Sequence, residues 1–181
     1  MKNELVEFRT IDPEEDLVFL FEGRNHDEVR RWCRQVGLLH WEGHLGWISR
    51  QADDPTVEMF MVYSHKGERV GCCGLTSIDL VNRRAEFSLW IDPEQRRLGY
   101  AEAALRLLFQ YGFGELNLNR IWGETFEDNP ARRLFTRMGM IEEGRRIEFY
   151  YKRGRYIDAY LYSVGRDQFS GYLASLADSQ G

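Results

Sequence analysis

Hydrophobic and polar residues alternate over residues 84–91, and this two-residue period is typical of a β-strand. From residue 101 onward the apolar residues recur at helical spacing instead, which predicts an amphipathic helix beginning near Gly99. The residues between these two patterns form a short basic segment, 92–98. The pattern therefore predicts a strand, a tight turn and a helix in direct succession.

The rest of the chain shows the same two periods. Predicted strands cover residues 5–10, 59–64, 69–80, 84–91, 119–126, 141–151 and 155–164, and predicted helices begin near Asp12, His26, Leu39, Gly99, Asn129 and Gly165. The first of these helices is predicted to break near Gly23, and the second to extend from His26 to Val36. The strand at 119–126 follows a strand–helix crossover, so we expect it to lie parallel to the strand at 84–91. These elements predict an α/β (α+β) fold with a mixed, mostly antiparallel sheet of about six to seven strands and helices on both faces.

Length and composition narrow the class of protein. The 181 residues predict a single domain over residues 1–181, with a core at about 5–164 and a short helix and polar tail at 165–181. A net charge of −5 argues against nucleic acid or an anionic membrane as the partner. Three cysteines, with no metal or disulfide spacing, and no apolar leader or membrane-spanning run, favour a reducing cytoplasm.

The turn after residue 91 has the features of an anion site. A turn that leads into a helix directs several backbone N–H groups into one concavity, beside the positive end of the helix dipole. Gly99 permits close approach of a ligand, and Arg96 and Arg97 add charge and forked donors suited to phosphate. The alternative is an ordinary strand–turn–helix unit that binds nothing, because such units are common.

Two motifs carry a resemblance to a known family. Residues 96–101 resemble the Arg/Gln-x-x-Gly-x-Gly/Ala signature of the GNAT superfamily of acyl-CoA-dependent N-acyltransferases. Residues 128–135, followed by Met138-Gly139-Met140, resemble the second signature of that superfamily. The chain looks closest to the branch that contains ribosomal-protein alanine acetyltransferases and nucleotide-amino-sugar N-acetyltransferases.

This resemblance implies a GNAT-like fold and acetyl-CoA as co-substrate, with no metal. In that superfamily the parallel strand pair splays apart and admits the pantetheine arm of the cofactor. The residues that the resemblance assigns to acetyl-CoA binding are Trp90, Ile91, Arg96, Arg97, Leu98, Gly99, Tyr100, Ala101 and Asn129. Asn129 is also well suited to cap a helix, and the two roles are compatible.

Acetyl transfer to an amine requires the amine to lose its proton, because a free alkyl amine titrates near 10, like the lysine side chain. Glu86 is the candidate base, since it lies in an otherwise apolar strand just before the turn and partial burial would raise its pKa. The alternative is an ordinary exposed acid on a strand. A backbone N–H near Trp90 or Ile91 is the candidate for polarising the thioester carbonyl.

The acceptor amine is not diagnosed by any motif. His44, Trp47 and Tyr150 are the candidate acceptor-binding residues, because aromatic rings suit a sugar or a polar ring, although a plain aromatic core is equally compatible. His40 and His44 are spaced like metal ligands, but no third ligand accompanies them. We predict a small-molecule amine, such as a nucleotide-linked amino sugar, and either a monomer or a homodimer.

Three alternatives to this acceptor and activity remain. One is a protein N-terminal acetyltransferase of the ribosomal-protein type, and another is a non-catalytic acetyl-CoA-binding sensor. The third is an unrelated binding module that uses the Trp-rich segment. Many members of the superfamily carry a Tyr that protonates the departing thiolate, and Phe135 stands at that position here. We expect a working enzyme that uses solvent or a hydroxyl from the last hairpin instead.

Overall fold

The computed structural model describes residues 1–178 of the chain. Within this range the elements in chain order are β1 (Val6–Thr10), α1 (Leu17–Asn25), α2 (Asp27–Arg30), α3 (Trp41–Gln51), β2 (Glu58–Ser64), β3 (Arg69–Asp79), β4 (Arg84–Ile91), a 3₁₀ turn (Pro93–Gln95), α4 (Tyr100–Gly114), β5 (Arg120–Phe126), α5 (Ala131–Arg137), β6 (Ile141–Lys152), β7 (Arg155–Gly165) and α6 (Arg166–Asp178). Helix α6 confirms the predicted C-terminal helix. The last three residues of the predicted polar tail, 179–181, lie outside the described residues.

The described strands form a seven-stranded sheet in the order β1-β2-β3-β4-β5-β7-β6. Pairing is antiparallel between β1 and β2, β2 and β3, β5 and β7, and β6 and β7. Strands β4 and β5 pair in parallel, in a register that runs from Arg84 opposite Arg120 to Glu86 opposite Trp122. The mixed, mostly antiparallel sheet and its predicted parallel pair are both confirmed.

The described residues divide into two compact units, and each has its own packed interior. The first unit comprises residues 1–78 and 87–108. Its interior contains a cluster of buried residues from α1, α2, α3, β2, β3 and β4: Leu17, Leu20, Val29, Ile48, Met61, Tyr63, Cys72 and Trp90. The cluster joins the helices that precede β2 to the end of β4, the strand that leads into the basic turn.

The second unit comprises residues 79–86 and, among the described residues, 109–178. Phe109, Phe113 and Phe169 pack together there, with ring centroids 5.6 to 6.5 Å apart. Leu118, Ile121 and Met138 are fully buried in the same unit. This unit contains the parallel pairing of β4 with β5 and the complete β6–β7 hairpin. The prediction of a single domain stays a prediction.

The helix predicted to run from His26 ends at Arg30, which is earlier than the sequence pattern indicates. The Asn25 side chain accepts a hydrogen bond from the backbone N–H of Leu39 (2.7 Å) and donates one to its carbonyl oxygen (3.2 Å). The chain after Arg30 must therefore turn back toward the end of α1, and a continuous helix to residue 36 would not allow this. Helix α3 accordingly begins at Trp41, two residues later than predicted.

Helix α1 continues through Gly23, where the sequence predicts a break. A Cβ atom built at Gly23 would lie 2.3 Å from the Trp90 ring. The glycine is thus present because the indole packs directly on the helix backbone, and it does not end the helix. Among the described residues no helix is long and apolar enough to cross a membrane.

Candidate functional site

The turn after β4 has the backbone conformation of an anion-binding concavity. Asp92 caps the 3₁₀ turn by accepting a hydrogen bond from the N–H of Glu94 at 3.0 Å. Arg97 and Gly99 then have positive φ angles of 66° and 83°. Left-handed residues set among residues of ordinary φ make successive N–H groups point to one side of the chain. The turn therefore presents backbone donors in the place where the sequence predicts them.

Helix α4 begins at Tyr100 and adds its own donors to this concavity. The first hydrogen bond across its start runs from Ala103 N–H to the Gly99 carbonyl oxygen at 3.1 Å. The N–H groups of the first helical turn have no acceptor within the helix, and the helix dipole makes this end partly positive. Residues 97–99 are exposed, so a ligand can reach these donors from solvent.

The two arginines of the turn have different surroundings. Arg96 donates from Nη2 to the Glu28 carbonyl oxygen at 2.9 Å, and its Nη1 lies 3.7 Å from the Glu28 carboxylate. The Arg96 side chain thus anchors the turn to the end of α2, whereas Arg97 is exposed to solvent. Of the two positive charges predicted to face a phosphate, Arg97 is the one left accessible, and backbone N–H groups provide most of the donors.

Trp90 and Ile91 are buried at the end of β4. The Trp90 ring stacks on Phe19 with centroids 5.5 Å apart, so its side chain belongs to the core of the first unit. A Cβ atom at Gly71 would lie 2.2 Å from the Trp90 carbonyl oxygen, which shows how closely β3 approaches β4. Any contact of Trp90 or Ile91 with a cofactor would therefore come from their backbone.

The second unit contains three residues that the sequence analysis singles out, namely Glu86, Asn129 and Phe135. Glu86, on β4, is only 9% exposed and faces away from the apolar Ala85 side of the strand. Asn129 accepts a hydrogen bond from the N–H of Ala131 at 3.0 Å, but Pro130, and not Asn129, occupies the N-cap position of α5. Phe135 is buried and contacts Tyr162 edge to face, with centroids 5.4 Å apart.

His44 and Trp47 come together on α3 in the first unit. Their rings stack with centroids 5.9 Å apart, and Trp47 packs against the buried cluster of that unit. His44 is 4% exposed, and burial, assisted by the nearby Arg24 charge, lowers its pKa. The imidazole is therefore neutral near pH 7, and it packs in the interior of the first unit instead of lining an open binding site.

Arg24 is a residue whose environment the sequence pattern does not reveal. It donates to the Gln35 side chain at 3.3 Å, but among the described residues no carboxylate forms an ion pair with it. Its Nε and the Nε2 of His44 are buried, and neither has a hydrogen-bond partner within the part of the chain that the structure describes. Unpaired buried polar atoms are uncommon and call for an explanation.

Tyr150, predicted to bind the acceptor, is half-buried on β6. Its ring packs on Phe126 with centroids 5.2 Å apart, and its hydroxyl donates a hydrogen bond to Glu124 of β5. The sequence analysis does not select Glu124. Its place at alternate positions with Trp122 and Phe126 puts it on the same face of the strand as these two aromatic residues, and this pattern could have identified it. Among the described residues no group of three or more His, Cys, Asp or Glu side chains could hold a metal ion.

The chain resembles known acetyltransferases over most of its length. The family described as "Acetyltransferase (GNAT) domain" matches residues 6–141. A spermidine N(1)-acetyltransferase from Vibrio cholerae is 31% identical over 144 residues, which cover 79% of this chain and 83% of that protein. The putative ribosomal N-acetyltransferase YdaF from Bacillus subtilis is 32% identical over 126 residues, 69% of this chain and 68% of that protein.

Other matches are shorter or more distant in sequence. The uncharacterized N-acetyltransferase p20 from Bacillus licheniformis is 31% identical over 112 residues, and the match spans 63% of that protein and 61% of this chain. The crystal structure of a spermidine N-acetyltransferase from Vibrio cholerae in complex with CoA and spermine superposes with a TM-score of 0.88. It is 24% identical and covers 93% of this chain and 99% of that chain, so it supports the fold.

The family match contains both motifs, the turn at 96–101 and the Asn129 segment. It confirms the predicted fold class, and it confirms N-acetyl transfer with acetyl-CoA as donor as the activity of the chain. The chain belongs to the GNAT family of acetyl-CoA-dependent N-acetyltransferases.

Proposed function

We propose that this enzyme acetylates the primary amine of a small molecule, most specifically an amino sugar carried on a nucleotide. In this proposal the turn 96–101 binds the pyrophosphate of acetyl-CoA, and Glu86 takes the proton from the amine. The observation that carries the cofactor assignment is the exposed concavity of backbone donors formed by Arg97, Gly99 and the start of α4. Donors of this kind suit a pyrophosphate.

The chemical step needs a neutral amine and a polarised thioester. Glu86 is a buried carboxylate on β4, and we assign it as the general base. The backbone N–H groups near Trp90 and Ile91 are assigned to the developing oxyanion. The side-chain oxygen of Asn129 accepts from the N–H of Ala131, which leaves its amide NH₂ as the donor for the cofactor arm.

The charge around α1 supports an acceptor that carries an anionic group. Arg24 is partly exposed, its Nε is buried without a hydrogen-bond partner and no carboxylate pairs with it in the described part of the chain, and burial and the Arg24 charge lower the pKa of the adjacent His44. By contrast, Arg30 and Arg31 are already paired with Asp27 and Glu28. A polycation such as spermidine would meet an unneutralised guanidinium here, whereas a nucleotide diphosphate would supply its missing acceptor atoms.

A second candidate acceptor is a polyamine. It is favoured by the relatives named spermidine N(1)-acetyltransferase, one of which is 31% identical over 144 residues. A protein N-terminus is a third candidate, favoured by the likeness to YdaF. These candidates differ in net charge, so a comparison of their kcat/KM values discriminates among them.

The test is thiol release from acetyl-CoA with a UDP-linked amino sugar, spermidine and an alanine-initiated peptide as parallel acceptors. We expect the highest kcat/KM with the UDP-linked amino sugar. Turnover confined to spermidine or to the peptide would reject this acceptor, and the absence of turnover with every amine, despite acetyl-CoA binding, would favour the sensor alternative.

Substitution of Arg24 tests the same assignment from the side of the protein. Arg24→Gln should raise the KM for the UDP-linked amino sugar roughly tenfold or more, because a charge-assisted hydrogen bond is lost. The KM for acetyl-CoA should not change. Arg50→Gln, at an exposed arginine of α3 in the same unit, is the control and should leave both constants unchanged. An Arg24 variant with an unaltered acceptor KM would remove this residue from the acceptor site.

A further inference from the structure

The second unit contains a buried carboxylate that the proposed mechanism does not use. Glu124 lies on β5, and its side chain is 3% exposed. Arg146 Nη1 donates to one carboxylate oxygen at 2.9 Å, and the Tyr150 hydroxyl donates to the other. A buried carboxylate is costly unless it is paired and hydrogen-bonded, so these two partners from β6 account for its presence in the sheet.

The strand registers place these groups on the same sheet face as Glu86. Neighbours in register lie on one face, and so do residues two positions apart on a strand. Glu86 is in register with Trp122, and Glu124 follows Trp122 by two positions. Strand β7 relates Glu124 to Tyr150, because Glu124 stands opposite Leu161 and Tyr150 stands opposite Ile157. Leu161 and Ile157 are an even number of positions apart on β7, so Glu124 and Tyr150 lie on the same face of the sheet.

A bulge in β6 brings Arg146 and Tyr150 to Glu124. Residues 147–149 of β6 stand opposite the single residue Asp158 of β7, and Glu148 has a φ of 50°. Asp158 accepts hydrogen bonds from the Glu148 N–H at 2.7 Å and from the Arg145 side chain, and these bonds lower its pKa. The bulge is thus held by a specific side chain, and bulges of this kind re-aim neighbouring side chains.

We propose that Glu124 is a positioning residue that fixes the Tyr150 hydroxyl as a hydrogen-bond acceptor for the N–H groups of the acceptor amine. A phenol that gives its one proton to a carboxylate keeps oxygen lone pairs that can accept. The Glu124 carboxylate is already engaged by the Arg146 guanidinium and the Tyr150 hydroxyl. Glu86 then remains the group that takes the proton, and Tyr150 holds the amine by a second N–H on the same face.

This inference rests on the proposed function, and it predicts a specific kinetic effect. Tyr150→Phe should raise the KM for the UDP-linked amino sugar roughly tenfold to a hundredfold, the usual range for a hydrogen bond to a charged group. The KM for acetyl-CoA should not change. Tyr151→Phe removes a hydroxyl from the exposed neighbour on the same strand and should have no effect on either constant.

A double-mutant cycle tests whether Glu124 acts through Tyr150. Glu124→Ala should raise the acceptor KM as much as Tyr150→Phe does, and it should add nothing in the Tyr150→Phe background. Glu124→Gln keeps an oxygen that can accept the phenolic proton and should restore most of the loss. Because Glu124→Ala leaves Arg146 unpaired, calorimetric binding of acetyl-CoA serves as the check that each variant is folded.

The outcomes separate this inference from the proposed function. If the wild-type enzyme acetylates none of the three amines, the proposed function fails and the inference fails with it. If the wild-type enzyme turns over the UDP-linked amino sugar but Tyr150→Phe leaves its KM unchanged, only the inference is overturned. Equal losses from Glu124→Ala in the wild-type and Tyr150→Phe backgrounds would also overturn it, because Glu124 would then act independently of Tyr150.

Discussion

Replacement of Gly99 by valine should separate cofactor binding from folding. Gly99 has a φ of 83°, and a Cβ atom there would lie 3.3 Å from Cδ1 of Leu5. The Leu5 side chain is exposed and can move aside, so the main cost to folding is the left-handed conformation, about 1–3 kcal/mol for a residue with a side chain. A domain is typically stable by about 5–15 kcal/mol, so Gly99→Val should remain folded.

The cost to acetyl-CoA binding should be larger. To relieve the strained φ, the backbone at residue 99 must rotate, and the N–H groups on either side of it then point out of the concavity. Hydrogen bonds to charged groups contribute about 1.5–3 kcal/mol each, so the loss of two would cost about 3–6 kcal/mol. That corresponds to binding weaker by roughly a hundredfold to ten thousandfold.

Calorimetric titration with acetyl-CoA, together with the thermal midpoint of each variant, measures both effects. Gly67→Val is the matched control, because Gly67 has a φ of 77° in the β2–β3 turn and no atom lies within 4 Å of the added Cβ. The control should lose similar stability and keep its affinity. If Gly99→Val bound acetyl-CoA as tightly as the wild type, the turn would not be the pyrophosphate site.

Three further predictions concern catalysis and pH. Glu86→Gln should lower kcat at pH 7 by roughly a hundredfold or more, with partial recovery at high pH and unchanged acetyl-CoA affinity; full activity at pH 7 would make Glu86 structural. Phe135→Tyr should change kcat by less than about tenfold, because a thiol with a pKa near 8.5 leaves readily without an acid; a far larger gain would indicate a crippled transferase. Burial and the Arg24 charge lower the His44 pKa below its usual 6.5, so the unfolded chain binds the extra proton and stability should fall as pH drops below about 6.5. Thermal midpoints at pH 7.5 and 5.5 should differ less in His44→Phe than in the wild type, and the exposed-site control His65→Gln should retain the full difference.

The strand, turn and helix over residues 84–114 could be predicted from sequence because their determinants are consecutive in the chain. The alternating strand, the glycine and the amphipathic helix each leave a local pattern between residues 84 and 114, and the structure places all three as expected. The helix after His26 is shorter than the sequence pattern predicts, because its end depends on a contact between Asn25 and Leu39, which are 14 positions apart. No periodicity of a single segment contains such a contact.

The same distinction explains which site residues were missed. Arg96 has a phosphate-binding sequence context, yet its guanidinium is engaged by the carbonyl and carboxylate of Glu28, 68 positions earlier in the chain. Glu124 lies in an ordinary strand pattern, and its partners Arg146 and Tyr150 are 22 and 26 positions away. Long-range pairs of this kind change which side chains are free for a ligand, and they are set by tertiary packing.

The proposed function assigns cofactor recognition and acceptor recognition to different residues of this enzyme. Backbone N–H groups bind a pyrophosphate whatever the neighbouring side chains are, so a short motif suffices to specify the donor. In the proposed function, selection of the acceptor relies on individual side chains with unusual partners: an arginine without a carboxylate in the described residues, and a tyrosine hydroxyl that donates to a buried acid. Such groups discriminate between amines because a wrong acceptor leaves a buried polar atom unpaired, which costs more than a lost apolar contact. Substitutions at Arg24 and Tyr150 should accordingly alter which amine is acetylated, while substitutions at Gly99 should weaken the use of acetyl-CoA with every amine alike.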